Sequence, residues 1–104
     1  MATESRLKGK RILAVDDEED ILETIEDILD GAVLDLAGDY DTASRKIRQN
    51  RYDLAILDIM GVNGLKLLTE TVERGIPTVM LTAHAINPDT LMESIRKGAI
   101  SYLP

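Results

Sequence analysis

With 104 residues, the chain has room for one core of sheet and helices and not for two. A formal net charge of −7, with no Lys/Arg-rich stripe to offset it, argues against direct nucleic-acid binding; zero cysteines and the single His84 exclude a disulfide framework, a thiolate metal site and a histidine cluster. No stretch approaches the ~20 apolar residues of a membrane span, and Met1 to Lys10 holds no apolar run of signal-peptide length, so no membrane association and a cytoplasmic location are expected.

Residues 1–10 are polar and read as a flexible N-terminal segment, leaving 11–104 as the folded domain. Arg11 to Val15 supplies Ile12, Leu13, Ala14 and Val15 as a buried strand, and five acids follow, Asp16 to Asp20. Carboxylates in a first helical turn gain about 0.3–1 kcal/mol each from the helix dipole. That accounts for Glu18 to Asp20 but not for Asp16 and Asp17, which lie at the strand's carboxyl end. Ile21, Leu22, Ile25, Ile28 and Leu29 repeat at helical spacing up to Gly31. Ala32 to Ala37 forms a second strand, and Asp41 with Thr42 is expected to cap a second helix, which runs to about Asn50 and turns Ala43 and Ile47 inward.

The stretch Tyr52-Asp53-Leu54-Ala55-Ile56-Leu57-Asp58 places four consecutive apolar residues between polar ones, as in a strand covered on both faces of a parallel sheet. Gly61, Asn63 and Gly64 form a loop able to reach unusual backbone angles, before a helix expected to turn Leu65, Leu68 and Val72 to one face and to end at Gly75. Pro77 opens a fourth strand, Thr78 to Leu81. Asn87-Pro88-Asp89 starts a fourth helix that carries Leu91, Met92 and Ile95 inward to Gly98, and Ala99 to Leu103 is the fifth strand. Strand and helix alternating through short connections imply an α/β, doubly wound parallel sheet of five strands with helices on both faces. The order commonly taken at this size is flavodoxin-like, 2-1-3-4-5, which puts strands one and three side by side.

In that order Asp16 and Asp17 end one strand and Asp58 ends its neighbour. Three carboxylates brought together repel, which raises the pKa of at least one of them unless a cation is present. Hard oxygens of this kind suit Mg²⁺ better than Ca²⁺. Thr82 ends the fourth strand on the same rim and offers a hydroxyl to an anion there, with the small Ala83 beside it.

These residues carry a family resemblance. Val15-Asp16-Asp17-Glu18, Tyr52 to Asp58, Pro77 to Ala83, Lys97-Gly98-Ala99 and Tyr102-Leu103-Pro104 stand in the order and at the separations of receiver domains of two-component response regulators, which the chain resembles from about Lys10 to Pro104. The resemblance implies a signalling module, not an enzyme, in which Asp58 accepts a phosphoryl group from a sensor histidine kinase or a phosphotransfer protein. It implies that Asp17 and Asp58 ligate Mg²⁺ directly, with the main-chain carbonyl of Met60, and that Asp16 acts mostly through water. Thr82 and Tyr102 would form the switch that reads the phosphoryl group.

Two departures from the pattern stand out. The loop Ile59 to Asn63 is about two residues shorter than is usual in the family and lacks its proline, and the family's lysine and fifth helix would lie beyond Pro104, the last residue. Without that helix, part of Ile12, Val33, Ile100 or their neighbours is expected to be uncovered together with one flank of the first helix, and the chain to self-associate through that face or to be part of a longer protein. A receiver that binds partners without being phosphorylated is the alternative function. An enzyme of flavodoxin-like architecture fits worst, because no Ser/Thr/Gly-rich phosphate loop follows the first strand and no aromatic is placed to stack a flavin.

Overall fold

The computed structural model describes residues 8–58, 63–81 and 100–102 of the chain. Its strands are β1 (Arg11–Val15), β2 (Val33–Ala37), β3 (Leu54–Asp58), β4 (Thr78–Leu81) and β5 (Ile100–Tyr102), and its helices are α1 (Glu19–Ile28), α2 (Tyr40–Gln49) and α3 (Gly64–Glu73). All five strands are parallel and run in the order β2-β1-β3-β4-β5, as expected. The expected fourth helix, between Asn87 and Gly98, lies outside the described residues.

Alternation along the strands divides the core in two. Ile12 and Ala14 of β1, Leu54 and Ile56 of β3 and Val79 of β4 pack with Leu22, Ile25 and Leu29 on one face of the sheet. Leu13, Val15, Ala55, Leu57 and Met80 pack on the other with Ala43, Ile47 and Leu67. A strand whose residues are all enclosed must be covered on both sides, and β3 is buried at every position. Thus α1 covers one face and α2 with α3 the other, the doubly wound arrangement that the alternation of elements implies.

The uncovering expected at Ile12 is not found. Ile12 is 0% exposed, closed in by the α1 side chains of its own cluster, whereas Val33 on the edge strand β2 is 52% exposed. The side chain of Ile100 lies outside the described ones. At the amino-terminal edge, the Gly9 N–H donates to the Gly31 carbonyl at 3.0 Å and the Val33 N–H to the Lys10 carbonyl at 2.8 Å.

Two local expectations are corrected. The cap of α2 is Asp39, not Asp41: the Asp39 carboxylate accepts the Thr42 N–H at 2.7 Å and the Thr42 hydroxyl at 3.0 Å. Position N3 is where a capping side chain finds its donor, so a cap at Asp39 satisfies the bond that Asp41 is too close to make. In α3 the inward residues are Gly64, Leu67 and Thr71, while Leu65 is 57% and Val72 48% exposed and Leu68 is half-buried on the flank. The helix is clocked by its neighbours: the Thr78 hydroxyl of β4 lies 2.7 Å from the Thr71 hydroxyl, which itself donates to the Leu68 carbonyl. Asn63, at φ 54° in the left-handed region that asparagine tolerates, sets the entry.

Candidate functional site

The carboxyl ends of β1 and β3 are in register. Val15 pairs with Leu57, so the next residue on each strand, Asp16 and Asp58, emerges at the same level of the rim. Both continue the parity of Ile12, Ala14, Leu54 and Ile56 and so leave the sheet toward its α1 face. Asp17 follows Asp16 into solvent. One ligand oxygen from each of Asp16, Asp17 and Asp58 lies within 4.8 Å of the others, a group of acids assembled from residues 41 positions apart in the chain (58 − 17).

Their environments differ. Asp16 is 1% exposed and Asp58 8%, whereas Asp17 is open to solvent. The Asp16 N–H donates to the Ala37 carbonyl at 3.1 Å, which continues the β1–β2 ladder by one bond and holds the residue at the strand's end. Asp16 Oδ1 accepts the Glu18 N–H at 2.8 Å. Asp16 Oδ2 is buried with no hydrogen-bond partner. Burial pushes the Asp16 carboxyl up to about 6, against the Glu18 N–H that favours its charged form, and the charges of Asp58, Asp17 and Glu18 push the same way as burial.

Glu19 and Asp20 occupy the first turn of α1, as expected for acids placed on a helix dipole. Glu18 is the N-cap residue by its backbone angles but makes no side-chain cap bond, so the start of α1 holds Asp16 through its main chain. The fit to a small hard cation rests on two features: an all-oxygen donor set, and a buried carboxylate oxygen aimed at no protein donor.

Met60 and Thr82 lie outside the described residues, as does the side chain of Tyr102; the Tyr102 backbone stands in β5, paired with Met80. Sequence reasoning missed a polar group that ties β2 to α2 and to the start of β3. Tyr52, buried just before β3, donates its hydroxyl to Asp35 of β2, and the Lys46 ammonium of α2 contacts the same carboxylate at 2.7 Å. Burial alone would raise Asp35, but the hydrogen bonds from Lys46 and Tyr52 outweigh it and hold the carboxyl below its ordinary value. The signal available for this support is the tyrosine itself, a rare aromatic in a chain with 3% aromatics, set at the mouth of the central strand.

The family model described as the response regulator receiver domain matches residues 12–104. The chain is 35% identical over 99 residues to the DNA-binding response regulator MtrA of Mycobacterium tuberculosis, a match spanning 90% of this chain and 43% of that relative. It is 32% identical over 102 residues to the two-component response regulator ARR10 of Arabidopsis thaliana, spanning 91% of this chain and 18% of that one. The chain therefore spans less than half the length of these curated relatives. Among solved structures, the CheY-like receiver domain protein of Methanospirillum hungatei superposes with a TM-score of 0.70 at 28% identity, over 92% of this chain and 81% of that one. With the motifs, the strand order and the acidic rim in agreement, the chain belongs to the response regulator receiver domain family.

Proposed function

We propose that the chain is a phosphoacceptor module that takes a phosphoryl group on Asp58 from a histidine kinase or a phosphotransfer protein. The observation that supports this reading most is the meeting of Asp16, Asp17 and Asp58 at the ends of adjacent parallel strands, with one buried carboxylate oxygen left without a protein donor. In an open α/β sheet that rim is where ligands bind.

Phosphoryl transfer asks a protein for positioning and charge neutralisation more than for covalent chemistry, because the transferring group carries spread negative charge through a loose transition state. Asp58 suits the acceptor role: it ends a strand enclosed at every position, so its backbone is set by the core. A carboxylate oxygen attacks phosphorus in line as the bond from phosphorus to the donor's imidazole nitrogen breaks, giving an acyl phosphate on Asp58 and a free imidazole on the donor. Asp17 and Asp58, with the Met60 carbonyl, would hold Mg²⁺, and Asp16 would orient its water; when bound, the cation neutralises negative charge at the rim. The Thr82 hydroxyl would accept the role of hydrogen-bond donor to the phosphoryl oxygens, and Tyr102 would follow Thr82. The added charge and acceptor oxygens are what such a switch reads.

Treating the protein with acetyl phosphate and Mg²⁺ and mapping the product by mass spectrometry tests the assignment. One phosphoryl group on Asp58 is expected, and label that persists in Asp58→Asn rejects it. Thr82→Ala should be labelled to a similar extent while showing a smaller change in its amide NMR spectrum on labelling. An undiminished change removes Thr82 from the switch.

A further inference from the structure

β2 is an edge strand: it pairs with β1, and among the described residues no strand pairs with its other side. The register and the flanking bonds fix which of its backbone groups are used. Val33 donates its N–H to the Lys10 carbonyl at 2.8 Å and Ala37 accepts the Asp16 N–H at 3.1 Å, so Val33, Asp35 and Ala37 turn their peptide groups to β1. The direction alternates along a strand. Leu34 and Leu36 therefore turn their N–H and C=O groups outward, two donors and two acceptors in a row.

Little blocks this edge. β2 contains no proline, no glycine and no bulge, and its five residues pair with β1 one for one. Leu34 and Leu36 are half-buried on the α1 side of the sheet, and Val33 is exposed on the other, so a strand laid beside them covers apolar surface on both faces. Asp35, the one charge in the strand, is already held by Lys46 and Tyr52, so an added strand would leave no carboxylate of β2 unpaired.

Charge selects the occupant. On the face shared with Leu34 and Leu36, α1 exposes Glu19, Asp20, Glu23, Glu26 and Asp27, with Asp30 just beyond, and the helix contains no basic residue. Lys8 and Lys10, which precede β1, offset two of these six charges at most. Two copies joined through β2 about a two-fold axis would run antiparallel and set both acidic helices on one face of the joined sheet, so like charges would meet. The same charges draw a cationic strand.

We propose that the β2 edge binds an extended segment of a partner protein as an added strand, with lysine or arginine at every second position so that the basic side chains lie on the α1 face. The outward N–H and C=O groups of Leu34 and Leu36 supply the ladder, and the acids of α1 choose the charge of the side chains beside it. Neither leucine belongs to the acidic rim, and phosphoryl acceptance at Asp58 plays no part in this binding.

Titration of ¹⁵N-labelled protein with an acetylated and amidated peptide of alternating lysine and valine, matched in length to β2, tests the proposal. In the free protein the Leu34 and Leu36 amides should exchange with solvent faster than those of Asp35 and Ala37, which are bonded to β1. The peptide should shift β2 and α1 amides saturably. At about 10 times its dissociation constant it should slow exchange at Leu34 and Leu36 by about tenfold, the share of open edge left by mass action. A peptide of alternating glutamate and valine should bind at least about tenfold more weakly, because like charges then face α1. Glu23→Gln/Glu26→Gln/Asp27→Asn should weaken the lysine peptide by about threefold or more, since exposed ion pairs are individually weak and three are removed together. All three side chains are exposed, so an unchanged spectrum elsewhere serves as the check on folding. No saturable shift at millimolar peptide, shifts without slowed exchange at Leu34 and Leu36, or equal affinity for the glutamate peptide or in the triple variant overturns the proposal. Slowed exchange at the two leucines on raising the protein concentration alone also overturns it, and makes a second copy the occupant.

Discussion

At Asp16 the two oxygens of one carboxylate meet different surroundings: Oδ1 accepts the Glu18 N–H, and Oδ2 is buried with no partner. Burial and three neighbouring acids lift the carboxyl to about 6 from 3.8. Between those two values the folded chain holds a proton that the unfolded chain has lost, so this contribution to stability is fully present below about 3.8 and is lost as pH rises through about 6. The loss amounts to about 3 kcal/mol at neutral pH, from roughly two units at 1.36 kcal/mol each. Asp35 and Glu70 act in the opposite sense. Hydrogen bonds from Lys46 and Tyr52 outweigh burial at Asp35, and those from Ser44 and Tyr40 outweigh it at Glu70, so these contributions are present above the ordinary carboxylate value and fade as pH falls. Comparing Asp16→Asn with the parent cancels those terms. In magnesium-free buffer, Asp16→Asn should be more stable than the parent above about pH 6 and nearly equal to it near pH 4. Urea unfolding across that range checks this, and parallel curves would show that Asp16 is not the strained group.

At the scale of elements, the strands were legible and one helix face was not. A run of four apolar residues followed by Asp58 admits few readings, and β3 covers that run, Leu54 to Leu57, and extends through Asp58. Adjacent Leu67 and Leu68 in α3 make two overlapping stripes at helical spacing, 65/68/72 and 64/67/71, and hydrophobicity favours the first because the second contains Gly64 and Thr71. Tertiary contacts decide otherwise, since Thr71 meets Thr78 of β4 and Gly64 is buried at the start of α3. The α2 face holds the same lesson. Tyr40 and Ser44 both donate to Glu70 of α3, and Lys66 lies 4.8 Å from the centre of the Tyr40 ring, a polar seam with no periodic signature in either helix. Leu67→Ala should therefore cost about 2–5 kcal/mol, as for a fully buried leucine, and Leu65→Ser should stay within about 0.5 kcal/mol of the parent. Equal losses at the two positions would mean that α3 is rotated from the orientation described. Glu70→Ala should fall between them, near 1–3 kcal/mol, because it leaves the buried Ser44 hydroxyl without its acceptor.

For the whole molecule, the parallel sheet collects its acids at one end. Every strand points its carboxyl end the same way, so residues that are distant in sequence, Asp16, Asp17 and Asp58, share one rim of a body 32 × 26 × 22 Å across. The acid motifs were readable as chemistry before the fold, but their convergence needed the strand order, which periodicity does not encode and which came from the order common to parallel sheets of this size. If the rim takes a cation, that convergence couples its binding to folding. Unfolding leaves Asp17 and Asp58 41 positions apart on a flexible chain, so a divalent ion held between them would lose its site (58 − 17 = 41). A ligand that binds only the folded form stabilises it by about 2.7 kcal/mol at 100 times its dissociation constant. For a domain of this length that corresponds to a rise in Tm of roughly 10–20 °C. Saturating Mg²⁺ should produce such a rise, and in Asp17→Ala the same concentration should produce a clearly smaller one, because Asp17 is the exposed member free to turn onto the ion. Scanning calorimetry of both proteins, with Mg²⁺ and with EDTA, makes the comparison. A midpoint unmoved by Mg²⁺ in the parent would remove the metal from this rim, and an equal rise in both proteins would remove Asp17 from its ligands.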